Sequence, residues 1–375
     1  ARPEPPILRP RKNACWMCAG GKREVSSGSF GRKRSLRGQK SRLPLPFLMA
    51  TVFLNGAFLD RDEARVSAFD ASVQHGVGLF ETMQAVERTD GWEVLDVDAH
   101  LDRLANSARE LRLTERLRVD ALREAVQRTV TKAGEEEEGA SRLRVRLTIT
   151  GGDLNLLAAS RMAEGSKEDA QQPTLLISAT KATEYPREMF DRGVLATIAD
   201  WKANPLDGMQ GHKTINYWAR LRELQTAAAK NAAEALVFQV SNYLCGGCVS
   251  NALIVRNGVV LTPIARGEEV GNAELGTRSA EPEEAGSGKG RAVMPSPVLP
   301  GVTRRWALEW AEDEGLEIEK RMISIDDVLN ADEVLLTNSS WGVLPVVAIE
   351  SRVLGAGKPG EVGAAIVGAW RARLG

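Results

Sequence analysis

The chain is short of the residues that most often build metal sites, and it has no apolar run long enough to cross a bilayer as a helix. Only three histidines, His75, His100 and His212, are present, scattered too widely to suggest a histidine-based metal site. Of the four cysteines, Cys15 and Cys18 form a lone C-x-x-C with no second cysteine or histidine pair at zinc-finger spacing, while Cys245 and Cys248 flank a Gly-Gly turn. No metal is expected. So few cysteines in 375 residues point to a reducing compartment, and the expected location is cytoplasmic. A clear excess of one charge is also missing, since 49 Lys and Arg stand against 50 Asp and Glu. The balance is uneven along the chain: residues 1–48 hold 12 basic residues against Glu4 and Glu24, or +10, which leaves −1 − 10 = −11 for the rest. A body that acidic lacks the basic face that phosphate neutralisation requires, so no nucleic-acid partner is expected, and no membrane partner either.

What is present reads as a globular enzyme, with 43 % hydrophobic and 26 % charged residues. Residues 1–48, rich in Arg, Ser, Gly and Pro and without periodicity, are expected to be a disordered basic leader, with Met49 as the natural start of the ordered chain. From Thr51 onward the patterns become regular. Residues 51–54 and 57–59 flank Asn55-Gly56 as a hairpin, and a second pair is split by Asp90-Gly91. Asp98 is expected to cap a helix carrying Leu101, Leu104, Ala105, Ala108 and Leu111 on one face. A further helix from about Ala121 carries Leu122, Val126 and Val130, and the strand at 143–149 alternates so that Arg142, Arg144 and Arg146 share a face. These elements are expected to form a small α/β domain over 49–165, followed by a polar linker at 166–173. A large α/β domain over 174–375 follows, with strands at 174–178, 194–198 and 235–240, a helix from about Asn216, and a hairpin about Asn257-Gly258. Within it, the Glu-, Gly- and Ser-rich stretch 267–292 is expected to be an exposed, mobile insertion.

Lys213 stands out among the lysines by its setting, Gly-His-Lys-Thr-Ile-Asn-Tyr-Trp, between a Pro- and Gly-containing loop and an amphipathic helix. That stretch at 211–217 is followed by Glu-Ala-Leu-Val-Phe at 234–238, by Val249-Ser250-Asn251, and by a hairpin ending Leu261-Thr262-Pro263. Before and after it come Gly-Val-Gly-Leu-Phe-Glu-Thr at 76–82, His100-Leu-Asp-Arg103-Leu, Pro300-Gly-Val-Thr303-Arg304, and Leu336-Thr337-Asn338 through Gly342 to Pro345-Val346. In order and spacing these segments resemble the class IV aminotransferases, from Thr51 nearly to the C-terminus.

The resemblance implies a two-domain α/β fold of the fold type IV kind, a homodimer, and one pyridoxal 5'-phosphate per subunit in the cleft between the domains. Lys213 would form the Schiff base and, once released by substrate, act as base and acid on the substrate's proton. Arg103 resembles the family's phosphate-binding arginine, with Val302 and Thr303 at a helix N-terminus and Ser339 or Ser340 completing the cup. Tyr217 would hydrogen-bond the cofactor's phenolic oxygen. The glutamate that the family usually places beside the pyridine nitrogen falls at Gly246 here, so that acid is missing from a cofactor set that also takes in Ser250 and Asn251. On the substrate side, Phe80 and Gln84 follow the first motif, Gln84 standing where an arginine is common, and Thr150-Gly151-Gly152 replaces a Thr-Arg-Gly turn. Arg144 and Arg146 could anchor a carboxylate instead. The leading expectation is amino-group transfer between an amino acid of branched-chain or D type and a 2-oxo acid. The alternatives are 4-amino-4-deoxychorismate lyase, slightly favoured by the segment 338–345, and a non-catalytic relative of the fold, for which the missing acid is the only support.

Overall fold

The structure is a computed structural model that describes residues 51–114, 117–153, 173–269 and 294–375. The basic leader and most of the polar linker and the Glu/Gly/Ser-rich insertion lie outside the described residues. Two sheets organise the rest. The first holds β1 (Thr51–Leu54), β2 (Ala57–Leu59), β3 (Gly78–Arg88), β4 (Gly91–Val94), β5 (Arg142–Thr150) and β6 (Leu175–Lys181) in the order β2-β1-β6-β5-β3-β4, antiparallel throughout. Three helices belong to the same part of the chain: α1 (Ala71–His75), α2 (Val97–Glu110) and α3 (Val119–Glu136).

Period-2 alternation decides which face of this sheet is covered. Leu143, Val145, Leu147 and Ile149 of β5 are buried among Leu101, Leu104 and Ala108 of α2 and Val126 and Val130 of α3. The alternate residues Arg144 and Arg146 face the other way and remain half-buried. Helix α2 begins one residue before Asp98: the N-cap position is Asp96, in a left-handed conformation and without a side-chain cap bond, and Asp98 lies in the first turn, where a carboxylate suits the helix dipole.

The strand expected to open the second domain, β6, lies in the first sheet, paired on one side with β1 and on the other with β5. An extended apolar strand reads the same whichever sheet receives it; its pairing is a tertiary choice.

The second sheet has nine strands. Β-strands β7 (Val194–Ile198), β8 (Glu234–Phe238), β9 (Leu244–Gly247), β10 (Asn251–Arg256), β11 (Val259–Thr262), β12 (Ile318–Lys320), β13 (Glu333–Asn338) and β14 (Gly342–Ile349) run in the order β12-β11-β10-β13-β14-β7-β8-β9, and β15 (Arg352–Val353) pairs with β14. Its helices are α4 (Glu188–Asp191), α5 (Trp218–Ala229), α6 (Val302–Asp313), α7 (Ile325–Leu329) and α8 (Glu361–Leu374). Both faces are covered. On β10, Leu253 and Val255 pack with Ala307, Leu308 and Ala311 of α6 and Ile366 and Val367 of α8, whereas Ala252 and Ile254 pack with Ile323, Leu336 and Leu344. That is why these strands are continuously apolar rather than alternating.

The first residues of the expected mobile insertion are held in place. The Glu268 carboxylate accepts hydrogen bonds from Arg304 (3.0 and 2.9 Å) and Lys320 (2.9 Å) and is pulled down to about 2, burial being outweighed by Arg304. Among the described residues no helix is long and apolar enough to cross a membrane.

Candidate active site

The uncovered face of the first sheet forms one wall of the site. The register of β3 against β5 sets Thr82 opposite Arg146 and Gln84 opposite Arg144. One step further, Phe80 lies under the Arg146 guanidinium, 3.8 Å from carbon to ring centroid. Burial, with Arg144 alongside, lowers the pKa of Arg146. Neither Arg144 nor Arg146 forms an ion pair among the described residues.

Main-chain hydrogen bonds fix Lys213 against the start of β3. The Phe80 N–H donates to the Lys213 carbonyl (3.0 Å) and the Ile215 N–H to the Gly78 carbonyl (3.0 Å), so the segment joins the free edge of β3 beyond the end of β4. The Lys213 Nζ lies 4.4 Å from the Phe80 ring centroid and 5.8 Å from that of Tyr217. The two rings pack edge to face at 5.2 Å, which locks both rotamers around the amine. Burial raises the Tyr217 hydroxyl's pKa, but the positive charges of Lys213 and Arg220 outweigh it and the net shift is downward.

Opposite this wall, the N-terminus of α6 presents Val302 and Thr303 to the cavity with unpaired main-chain N–H groups of its first turn. Thr303 Oγ1 is 3.3 Å from Ser339 Oγ, which is 3.4 Å from His100 Nε2. His100 Nδ1 contacts Glu81 at 2.8 Å, and Glu81 accepts from Arg103 through Nε (2.9 Å) and Nη2 (2.5 Å). Arg103 Nη1 donates to the Pro300 carbonyl (2.9 Å), so three of the five guanidinium N–H groups are used and two are left for a ligand. Burial would raise the Glu81 carboxyl, but Arg103 and His100 together hold it at about 2. Burial keeps His100 below its ordinary value despite Glu81, so the ring is neutral near pH 7.

These walls enclose a cavity of about 440 Å³. Among the described residues its charged lining consists of Lys213, Arg103, Arg144, Arg146 and Arg220, with no aspartate or glutamate. Such a set suits a ligand with several negative charges.

A profile of the family described as amino-transferase class IV matches residues 78–269 and 288–349, more than half of the chain. The chain belongs to the class IV aminotransferase family. Among curated relatives of this class IV enzyme, a putative branched-chain-amino-acid aminotransferase of Methanocaldococcus jannaschii is 25 % identical over 317 residues, covering 83 % of this chain and 92 % of the relative. A D-alanine aminotransferase of Staphylococcus epidermidis is 24 % identical over 320 residues, covering 84 % and 94 %. Among solved structures, the Escherichia coli branched-chain amino acid aminotransferase superposes with a TM-score of 0.70 at 21 % identity, over 86 % of this chain and 94 % of that one. The 4-amino-4-deoxychorismate lyase of Pseudomonas aeruginosa gives 0.65 at 23 %, over 86 % and 99 %. Fold type IV is the architecture of this class IV enzyme.

Most of the residues singled out in the sequence meet at the cavity: Phe80, Arg103, Arg144, Arg146, Lys213, Tyr217, Ser250, Asn251, Val302, Thr303, Ser339 and Ser340 all line it. Some of them are already engaged. Ser250 Oγ donates to the buried Glu234 (2.9 Å), and Asn251 Nδ2 donates to the Leu299 carbonyl (2.8 Å), which fixes the loop leading into α6. Gln84 and Gly246 are not in the wall. Gln84 is buried, with Nε2 donating to the Ser340 carbonyl (2.8 Å), so it braces the far loop across the sheet face instead of meeting a substrate. Gly246 has φ of +141°, and a Cβ there would meet the Ser250 carbonyl oxygen at 2.7 Å. Its neighbour Gly247 takes the wall position.

Arg220, Tyr185 and Trp341 line the cavity without having been singled out. Arg220 was within reach of sequence reasoning, since it stands one helical turn after Tyr217 on the same face. Tyr185 and Trp341, packed edge to face at 6.0 Å, come from separate segments with no local signal.

Proposed function

We propose that the protein transfers an amino group between an amino acid and a 2-oxo acid, with pyridoxal 5'-phosphate in the cavity and Lys213 as its Schiff-base lysine. The observation that carries this reading is the Lys213 amine held between Phe80 and Tyr217 in a cavity lined, among the described residues, by four arginines and no carboxylate. The donor set fits the cofactor. Two N–H groups of Arg103, the first-turn N–H groups at Val302 and Thr303, and the hydroxyls of Thr303 and Ser339 would hold the phosphate.

When bound, the cofactor supplies an aldehyde for the amine and a ring that draws electrons from the substrate's α-carbon. Tyr217 would donate to the cofactor's phenolic oxygen, its O–H made a stronger donor by the neighbouring positive charges. Arg146, aided by Arg144, would hold the substrate carboxylate and so direct the Cα proton toward the Lys213 Nζ, which takes it up and returns it. Phe80 excludes water from that amine and supports Arg146 from below. The exposed apolar side chains Leu206, Met209 and Trp218, with Leu221 at the cavity's edge, support a homodimer that covers the cavity mouth.

A second reading, 4-amino-4-deoxychorismate lyase, is favoured by the adjacent Arg144 and Arg146, each without an acidic partner among the described residues, because that substrate carries two carboxylates. Purified protein given the cofactor should absorb visible light, lose the band on borohydride reduction, and carry the pyridoxyl mass on the Lys213 peptide. Label on another lysine, or full activity in Lys213→Ala, would sink the reading. Release of pyruvate from aminodeoxychorismate, set against amino-acid-dependent 2-oxo acid formation, separates the two reactions.

A further inference from the structure

The class IV resemblance calls for a carboxylate beside the pyridine nitrogen, yet among the described residues no aspartate or glutamate lines the cavity. The two buried carboxylates near that wall are fully engaged elsewhere. Glu234, at the start of β8, accepts from the N–H groups of Ala235 (3.0 Å), Cys248 (3.1 Å) and Val249 (3.1 Å) and from Ser250 Oγ (2.9 Å). It packs behind Gly247, where a Cβ would come within 2.7 Å of its carboxylate, and does not reach the cavity surface. Glu223 on α5 accepts from the Asp200 N–H (3.0 Å) and from Arg222 (2.8 Å) and also lies off the wall. The two thiols of the wall, Cys245 and Cys248, are pushed up to about 12 by burial and stay neutral.

Arg220 occupies this end of the cavity. Its Nη1 donates to the Cys248 carbonyl (3.1 Å) and reaches the Gly247 carbonyl at 3.5 Å, so the guanidinium sits on the segment from which the family's carboxylate would have come. The Trp201 and Tyr217 rings hold it, at 5.4 and 5.7 Å from their centroids, and among the described residues Nε and Nη2 make no hydrogen bond to protein. Around the pyridine ring of the cofactor, the aldehyde, phenolic oxygen, methyl group and nitrogen follow one another, with the phosphate arm on the aldehyde's other side. On the cavity wall Tyr217 neighbours both groups, its ring centroid lying 5.8 Å from the Lys213 Nζ and 5.7 Å from the Arg220 guanidinium carbon.

We propose that Arg220 takes the place of the missing acid, donating a hydrogen bond to the lone pair of the pyridine nitrogen, so that the bound cofactor keeps that nitrogen unprotonated. A guanidinium remains charged in proteins and has no proton to give up to a pyridine, whereas a carboxylate would stabilise a pyridinium. This rests on the reading that the cofactor occupies this cavity on Lys213, and it means that electron withdrawal by the ring is weaker than with a protonated nitrogen.

The test is a nitrogen-15 NMR spectrum of the holoenzyme reconstituted with ring-nitrogen-labelled pyridoxal phosphate, recorded alongside the visible spectrum. A resonance of pyridine type that does not titrate between about pH 6 and 9 is expected for the wild type. In Arg220→Gln the Schiff-base band should persist, with cofactor affinity lowered about tenfold or more as a charged hydrogen bond is lost. The analogue with CH in place of the ring nitrogen should bind the wild type correspondingly more weakly than the cofactor itself, and that difference should shrink in Arg220→Gln. A pyridinium resonance in wild-type protein that shows the Schiff-base band overturns the assignment of Arg220 and leaves the proposed function intact. Absence of the band in the wild type overturns both.

Discussion

Replacing Glu81 by glutamine should destabilise the protein and loosen its phosphate cup at once. The carboxylate is 1 % exposed, accepts two hydrogen bonds from Arg103 and contacts His100. Its fall from 4.5 to about 2 corresponds to about 3 kcal/mol of stability near neutral pH. The usual cost of removing one partner from a buried ion pair is of the same order, about 3–5 kcal/mol. Because folding lowers this pKa, the contribution is present in full above pH 4.5 and is lost as the pH falls toward about 2. At about pH 3.5 the unfolded carboxyl is mostly protonated while the folded one is not, which removes on the order of 1 kcal/mol of the wild type's advantage. Urea unfolding of wild type and Glu81→Gln at about pH 7 and about pH 3.5 measures both quantities. A difference below about 1 kcal/mol at neutral pH, or one that does not shrink in acid, would refute the argument.

Arg103→Ala should weaken binding of pyridoxal phosphate by about 1.5–3 kcal/mol and, because it leaves the buried Glu81 without its guanidinium, also lower the melting temperature; unchanged affinity by fluorescence titration of the folded variant would remove Arg103 from the phosphate cup. Gly246→Glu should lower the melting temperature instead of restoring an acid, since φ is +141° and a Cβ would meet the Ser250 carbonyl oxygen at 2.7 Å; a folded, more active variant would contradict this. Arg146→Leu should raise KM for the amino and 2-oxo acids with little change in cofactor affinity, whereas an effect on cofactor affinity alone would move Arg146 to the cofactor side.

The sequence by itself determined the elements and their inner faces. The alternation Leu143, Val145, Leu147, Ile149 against Arg144 and Arg146 fixes which way β5 turns, because successive side chains of a strand point to opposite sides. The class IV resemblance, carried by the order and spacing of the motifs, was enough to single out Lys213, Arg103 and Thr303 before they meet in space. Pairing was not legible. Residues 175–181 have the same composition in either sheet, and only the hydrogen bonds to β1 and β5 place them in the first. Engagement was not legible either: Gln84 and Gly246 sit in the right motifs, but the Gln84 amide N–H goes to the Ser340 carbonyl, and at Gly246 the backbone leaves no room for a side chain. The acid was already missing from the sequence at Gly246, but only the tertiary structure decided that Glu234, thirteen residues before Gly247, does not take its place, since four donors close around that carboxylate. A motif records which residues are near in sequence, whereas the charge that a ligand meets depends on which of their polar atoms packing has left free.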